Sequence, residues 1–575
     1  MIKLSETNDF SKLKRLSDGE IYAELKDGVD CVLFECDEPL FCNGTKRMPP
    51  LYQAACFVGY NAFEWKDRAG NPVLSVTVLR LPEQALFGKE KYRPSLHNTV
   101  RFSLLNDPNG PFYNADTDEY HLYFQFQANT KKGKEMKTWA HAVSKDLVKW
   151  HRESDALEPD ELGEIYSGSC VIDDGNTSGF FGENVPEGSR IVAFYTSFDG
   201  IERQSLAYSK DGGYTFQKYK NNPVIANGTA EKPVYTQGFR DPKVIKYENG
   251  NEKKWIMVLA GHTAKIYSSD NLIDWKYESE IKTLSGETVI CECPDLFPVA
   301  FGETTKYVFV GSDYHDGDSK IFYLAGDLLC RDKKFEFVPE TDPITDLSYN
   351  PETYAPQTFY NDKCGRRLSV SWIRDWFLTG EMWRFAKTDV DSKYWLGTHT
   401  FVQELSLKTL CGNRYKLYAR PVRETEGYFP TEIYSLRNSY LSADTPLPCR
   451  MGKRFKIDAV FDAEKTQRSP FSLDILKHDG KFTRIGIDLA RSVATFDKRN
   501  SGTTVTGKEE ISVPFFPSSE LRIEIYFDVS VIEIYINNGE RNVTTQIYPD
   551  EFEFTVSFAE VTSGVFVKEL TVRVG

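Results

Sequence analysis

The sequence predicts an all-β protein, a five-bladed β-propeller followed by a C-terminal β-sandwich, with an extra small β module at the N-terminus. Three observations carry this. Apolar, aromatic-rich runs of strand length recur at Tyr120 to Phe126, Ile191 to Ser197, Trp255 to Ala260, Tyr307 to Gly311 and Leu368 to Ile373. Three copies of a phrase containing Ser-x-Asp end such runs and return to an aromatic: Ser144-Lys145-Asp146 to Trp150, Ser209-Lys210-Asp211 to Phe216, and Ser268-Ser269-Asp270 to Trp275. Their spacing of about 60 residues suits one four-stranded blade plus its loops. Near the C-terminus, Leu521 to Ile536 alternates apolar and polar residues around an interruption at Asp528-Val529-Ser530, the pattern of two antiparallel strands joined by a bend.

Taken in order, residues 1–91 alternate in short bursts such as Ile21 to Leu25, Cys31 to Phe34 and Val73 to Leu81, separated by Gly, Pro and Asn. They read as a small β-rich module that carries no identifiable chemistry. Residues 92–415 hold the five strand clusters, one per blade. Leu417 to Arg423 reads as a connector, and residues 416–575 as the sandwich, with Phe455 to Phe461 and Phe471 to Leu476 as further strands. At 575 residues the chain is too long for one core.

The formal net charge of −14 disfavours nucleic acid and anionic membranes as partners. No apolar stretch approaches the roughly 20 residues of a membrane span. The first twenty residues lack an apolar core, so a cytoplasmic protein is expected, or a secreted one if a leader has been removed. Eleven cysteines spread over the chain form no disulfide framework, and Cys291-x-Cys293 lacks partners for a metal site. No metal or organic cofactor is expected. Aromatics at 14% suit both β-sheet packing and the stacking of rings on sugars. The expected partner is a small molecule or oligosaccharide, and a homo-oligomer is compatible with the sequence.

Three carboxylates stand in unusual settings: Asp107 in Asn106-Asp107-Pro108-Asn109-Gly110, Asp241 in Phe239-Arg240-Asp241-Pro242, and Glu292 in Cys291-Glu292-Cys293-Pro294-Asp295. Each also has an ordinary reading, as a turn cap or an ion-pair partner. In a regular strand Cys291 and Cys293 would point to one face and Glu292 to the other. Its largely apolar neighbourhood would keep Glu292 protonated, as a general acid requires. Inner strands of a propeller line its channel, so acids on separate blades are expected to meet there. Carboxyls about 5–5.5 Å apart across a sugar bond give retention, and about 6.5–9.5 Å inversion.

These motifs resemble those of the invertase and fructanase family of glycoside hydrolases, the β-fructofuranosidases of family 32. Supporting matches are Tyr92-Arg93-Pro94 with His97, Trp139 to Ala142, Tyr166 to Ser169, Tyr354 to Phe359 and Phe527 to Ile534, so the resemblance covers about residues 92–575. It implies a five-bladed propeller with a β-sandwich and the release of terminal fructosyl units from sucrose or short fructans with retention. Carried over, Asp107 is the nucleophile, Glu292 the acid/base and Asp241 the transition-state stabiliser. Asn106, Gln125, Trp139, Tyr166, Ser167 and Arg240 line the fructose pocket, Trp376 is the next aromatic expected to face sugar, and His97 and His141 are structural.

The chain departs from the family pattern at Leu104-Leu105, Cys291, Gln127-Ala128-Asn129 and Val402-Gln403. The first three lie close to the expected pocket and bear on substrate preference. A fructosyltransferase on the same scaffold, a non-catalytic sugar-binding propeller and an inverting pentosidase stay open at this point.

Overall fold

The computed structural model describes residues 91–575 apart from 101–102, 130–134, 229–236, 251, 316–317, 346–347, 349–351, 374–394, 411–413, 467–469, 502–508 and 563; of the first 90 residues it describes the backbone of strands. Those N-terminal strands form a three-stranded and a six-stranded sheet. From Ser103 to Pro421, five antiparallel sheets follow one another, and each begins with an inner strand. The inner strands are Ser103–Asn114, Glu164–Ile172, Lys243–Asn249, Glu292–Phe301 and Thr353–Thr358. Each lies against the next, and the fifth lies against the first, so the sheets form a ring. Ser103-Leu104 also runs parallel to Trp395-Leu396, and Thr99 bridges Thr398, which ties the start of the ring to its end.

The aromatic content is spent between the blades. Phe112, Tyr123, Trp139 and Tyr195 fill the first seam, and Phe194, Trp255 and Met257 the second. Ile256, Phe309 and Leu324 fill the third, and Phe297, Tyr323 and Leu417 the fourth. Flat rings bridge two twisted sheets with large contact area and few rotamers to freeze.

The repeated phrase is a turn in the third-to-fourth hairpin of three blades. Asp146 accepts from the backbone N–H groups of Val148 and Lys149, and Leu147 takes φ 65°. The third copy is shifted by one residue from the expected Ser268-x-Asp270. Ser269 and Asn271 occupy the equivalent places, Asn271 accepts from Ile273 and Asp274, and Leu272 takes φ 64°. An amide oxygen closes this turn as well as a carboxylate does, so residue type alone misaligns the copy.

Two six-stranded sheets form the C-terminal sandwich. Leu521, Ile523, Ile525 and Phe527 point into its core, and Asp528 pairs with Val531 across the bend that the sequence predicts. The opposite face of this hairpin is also buried, because Tyr526 and Tyr535 pack with Leu96, Val148, Phe401 and Phe429 of the propeller side.

His97 bolts this interface. Its Nδ1 lies 2.9 Å from Asp528 Oδ2 and its Nε2 3.2 Å from Glu533 Oε1, while the backbone N–H groups of Ser95, Leu96 and His97 also donate to Asp528. Burial opposes the imidazolium, but the bonds and charges of the two carboxylates outweigh it and push the ring up to about 9. The folded protein therefore holds a proton that the unfolded chain releases above about 6.5. Stability from this contact is complete below that pH and is lost as pH rises through 9. We expect wild-type unfolding free energy to fall by about 3 kcal/mol across this window and that of His97→Gln to stay flat. Denaturant titration at several pH values checks this; parallel curves for the two proteins would exclude His97 as the source.

Candidate active site

Every motif that carries an acid also carries a residue that interrupts a sheet. Pro108, Pro242, Pro294 and Pro356 cannot donate to a β-ladder, and such residues sit at edges and bulges. Four inner strands shift register at corresponding points, between Leu105 and Pro108, Ile165 and Gly168, Glu292 and Asp295, and Tyr354 and Gln357. In the second strand Gly168 takes the place of proline: a Cβ there would stand 1.9 Å from the Phe194 carbonyl oxygen. In the third, Asp241 itself adopts φ 63° just before Pro242, and Cys293 and Ala355 likewise take φ 45° and 49°. Bulges of this kind re-aim side chains that regular alternation would send into the seams.

The re-aimed side chains converge. Asp107 Oδ2 accepts from Ser167 Oγ at 2.8 Å and faces Cys293 Sγ at 3.7 Å. Gln125 Nε2 donates to Ser167 Oγ at 2.7 Å, so a relay of donors runs from the first blade through the second to this carboxylate. Asn109 braces the same turn, donating to the Asp107 carbonyl and accepting from Gly168 N–H. The backbone N–H of Cys293 donates to Asp241 Oδ2 at 2.9 Å. One residue thus touches both aspartates and is the chain neighbour of Glu292. The regular alternation expected for Cys291 and Cys293 does not hold: Cys291 is buried in the seam between the third and fourth blades, whereas the positive φ at Cys293 turns its thiol toward Asp107.

Glu292 differs from expectation too. Its side chain is 38% exposed and lies in no apolar enclosure. Arg240 donates to Oε1 and the Tyr354 hydroxyl to Oε2. Arg240 is shared by Glu202 and Glu292, with Asp241 3.9 Å away. Burial pushes the Asp241 carboxyl up to about 7; Arg240 and the Cys293 N–H oppose this, while Glu292 and Asp107 add to it. Three acids with different surroundings can hold different protonation states at one pH.

The remaining motif letters knit the ring below the acids. Lys243 Nζ lies 3.1 Å from Asp295 Oδ2 and donates to the Thr358 carbonyl at 2.6 Å, joining the third, fourth and fifth blades. Gln357 accepts from Gly110 N–H and donates to the Gly168 carbonyl, joining the first, second and fifth. Asn106 is buried, and its carbonyl accepts from His399 Nε2 at 3.1 Å. Burial holds His399 down to about 3, so the ring is neutral and its Nδ1 accepts from Asn98.

Trp139 does not reach the pocket. It is fully buried behind Tyr166, packed on Tyr123 and Tyr195, and its indole N–H donates to the Tyr166 carbonyl. The ring expected to stack on sugar instead supports the strand that presents Tyr166 and Ser167. Trp376 lies outside the described residues. His141 pairs with His121 in a buried aromatic stack, away from the acids. Sequence reading overlooked Glu202, Cys293, Tyr354 and Gln357 as site residues. The last two stand in a quoted motif, and Cys293 adjoins an assigned acid; Glu202 has no motif to reveal it.

Three carboxyl groups on or just before separate inner strands, one of them partly open beside a guanidinium and a phenol, form the arrangement expected of a glycoside hydrolase. Comparison with known proteins narrows this. Residues 97–421 match the profile described as glycosyl hydrolases family 32 N-terminal domain, and residues 432–574 match glycosyl hydrolases family 32 C terminal. The chain belongs to glycosyl hydrolase family 32. It is 35% identical over 505 residues to a levanase of Bacillus subtilis, spanning 84% of this chain and 70% of that protein. It is 29% identical over 513 residues to invertase 1 of Saccharomyces cerevisiae, spanning 82% of this chain and 92% of the other. The crystal structure of an exo-inulinase from Aspergillus awamori superposes with a TM-score of 0.73 at 26% identity, over 85% of this chain and 99% of that one.

Proposed function

We propose that the protein is a retaining β-fructofuranosidase that releases terminal β-D-fructofuranosyl units from sucrose or short fructans. The observation that carries this is the meeting of Asp107, Asp241 and Glu292 around Cys293. Asp107 attacks the anomeric C2 of fructose as Glu292 donates its proton to the departing oxygen. The fructosyl-enzyme is then opened by water, which gives its proton to Glu292 as the C2–Oδ bond breaks. The Ser167 hydroxyl donates to Asp107 and keeps one oxygen oriented. Arg240 holds Glu292 close to Asp241, whose carboxylate binds ring hydroxyls and offsets positive charge at the transition state. Hydroxyl donors on a bound sugar favour the ionised form of Asp241, so substrate and charge arrive together. Asn106, Gln125, Tyr166 and Ser167 complete the pocket; Gln125 Oε1 has no hydrogen-bond partner among the described residues and suits a sugar hydroxyl.

The relatives named levanase, invertase and exo-inulinase support hydrolysis over transfer. A crystal structure of a Schwanniomyces occidentalis fructofuranosidase complexed with fructosylnystose, at 25% identity, supports an oligosaccharide ligand. The acidic net charge of −14 supports a neutral sugar over nucleic acid or a membrane surface, and the unpaired thiols among the described residues support a reducing, cytoplasmic location. The test is product analysis from sucrose, kestose, inulin and levan, with proton NMR of the first turnovers. We expect fructose released first as its β-furanose anomer. An α-anomer would mean inversion, and kestose-type trisaccharides as the main product at high sucrose would mean transfer.

A further inference from the structure

One buried carboxylate belongs to the propeller but is gripped from the sandwich. Glu352 immediately precedes the fifth inner strand and is 2% exposed. Lys498 Nζ lies 2.7 Å from its Oε1. Thr545 Oγ1 donates to its Oε2 at 2.5 Å, and the Gln546 N–H donates to the same oxygen at 3.0 Å. Lys498 Nζ also donates to Thr545 Oγ1 at 2.8 Å. Lys498 follows the strand Val493–Asp497 of one sandwich sheet, while Thr545 and Gln546 end the edge strand Arg541–Gln546 of the other. Both sheets therefore reach one propeller side chain.

That side chain is two residues from the reaction. Tyr354, 2% exposed, donates its hydroxyl proton to Glu292 Oε2. Thr353 and Tyr354 are fixed in the ladder opposite Ile373 and Trp372, and the strand then shifts register before Gln357. Two extended residues span about 7 Å, too short a tether to absorb movement at one end without moving the other. A buried carboxylate stripped of its ammonium partner either takes a proton or withdraws toward water. Either response displaces the start of this strand and with it the phenol on Glu292.

We infer that Glu352 and Lys498 are positioning residues for proton transfer: the sandwich, through this ion pair, sets where the Tyr354 hydroxyl stands and so how the Glu292 carboxyl is aimed. The inference rests on the reading of Glu292 as acid/base. A contact that merely fastened two modules together would affect melting and nothing else.

The experiment compares wild type, Lys498→Met, Lys498→Arg, Glu352→Gln, Tyr354→Phe and the double variant Lys498→Met/Tyr354→Phe in the full chain. The substrates are sucrose and β-D-fructofuranosyl fluoride, whose leaving group needs no proton. For Lys498→Met, misaiming by about 1 Å predicts a tenfold to hundredfold lower kcat on sucrose with KM little changed. The pH limb that reports the acid should move, and the single-turnover rate of fluoride release, which precedes the water-activating step, should fall far less. Lys498→Arg should restore part of the loss, and the double variant should lose no more than Tyr354→Phe alone, as expected for residues acting through one group. Equal losses in sucrose turnover and in single-turnover fluoride release, or an unmoved pH limb with only a lower Tm, would overturn the inference. If Lys498→Met does not fold, Glu352→Gln, which keeps size and an acceptor oxygen, answers by the same readouts. Wild-type enzyme inert toward both substrates would overturn the hydrolase reading itself, whereas a normal pH profile in the variants of an active enzyme overturns the positioning inference alone.

Discussion

Asp107→Asn is expected to lower kcat on sucrose by on the order of 10⁵-fold, the scale seen when a covalent nucleophile is removed. The change is nearly isosteric. Ser167 Oγ keeps a partner, because the amide oxygen accepts as the carboxylate did, and the Asn109 bond runs to the backbone of the same turn. Removing a negative charge beside Asp241 also relieves one of the influences that raise the Asp241 carboxyl. The variant should therefore fold at least as stably as wild type and still bind fructosides. Steady-state kinetics paired with calorimetric titration of kestose separates the two effects: turnover vanishes and binding stays. Activity within tenfold of wild type would remove Asp107 from the reaction, and with it the covalent intermediate.

The second large effect belongs to Glu292. Glu292→Gln keeps acceptors and donors of the same reach for Arg240 and Tyr354, but cannot give up a proton. Loss of general acid and base function is expected to cost about 10²–10⁴-fold in kcat on sucrose. With β-D-fructofuranosyl fluoride the first step needs no acid, so the fructosyl-enzyme should form and then wait for a water that nothing deprotonates. Added azide, a nucleophile needing no base, should restore turnover and yield the β-fructosyl azide in Glu292→Ala. A loss identical for sucrose and fluoride, with no response to azide, would assign the residue to binding instead. The 38% exposure of this side chain fits a group that must meet water once per cycle.

Much of the site is legible in the sequence. The three acids stand out because each shares a short motif with a turn or sheet-breaking residue, and that pairing is chemical information that a single chain displays. The seams were legible as well, since aromatic runs at regular spacing have little else to do in a β protein. Four features are hidden for reasons that are physical. Side-chain direction in a bulge depends on the register with the neighbouring strand, so strict alternation sent Cys293 to the wrong face. Burial depends on what packs around a residue, so Trp139 reads as a sugar platform in the sequence although it is fully buried and its indole N–H is spoken for by the Tyr166 carbonyl. Glu202 holds Arg240 from a strand that shows no motif, and only the fold brings them together. Substitution of one acceptor for another hid the third turn, where Asn271 does what Asp146 does elsewhere.

The extra residue inserted in each of four inner strands makes the site depend on chain length at single positions. Ladder pairing resumes beyond each kink, so the inserted residue alone decides which side chains face the axis. Deleting a single position at a kink would be worse than mutating many on the outer strands, because it would swing one acid to the reverse side of its blade.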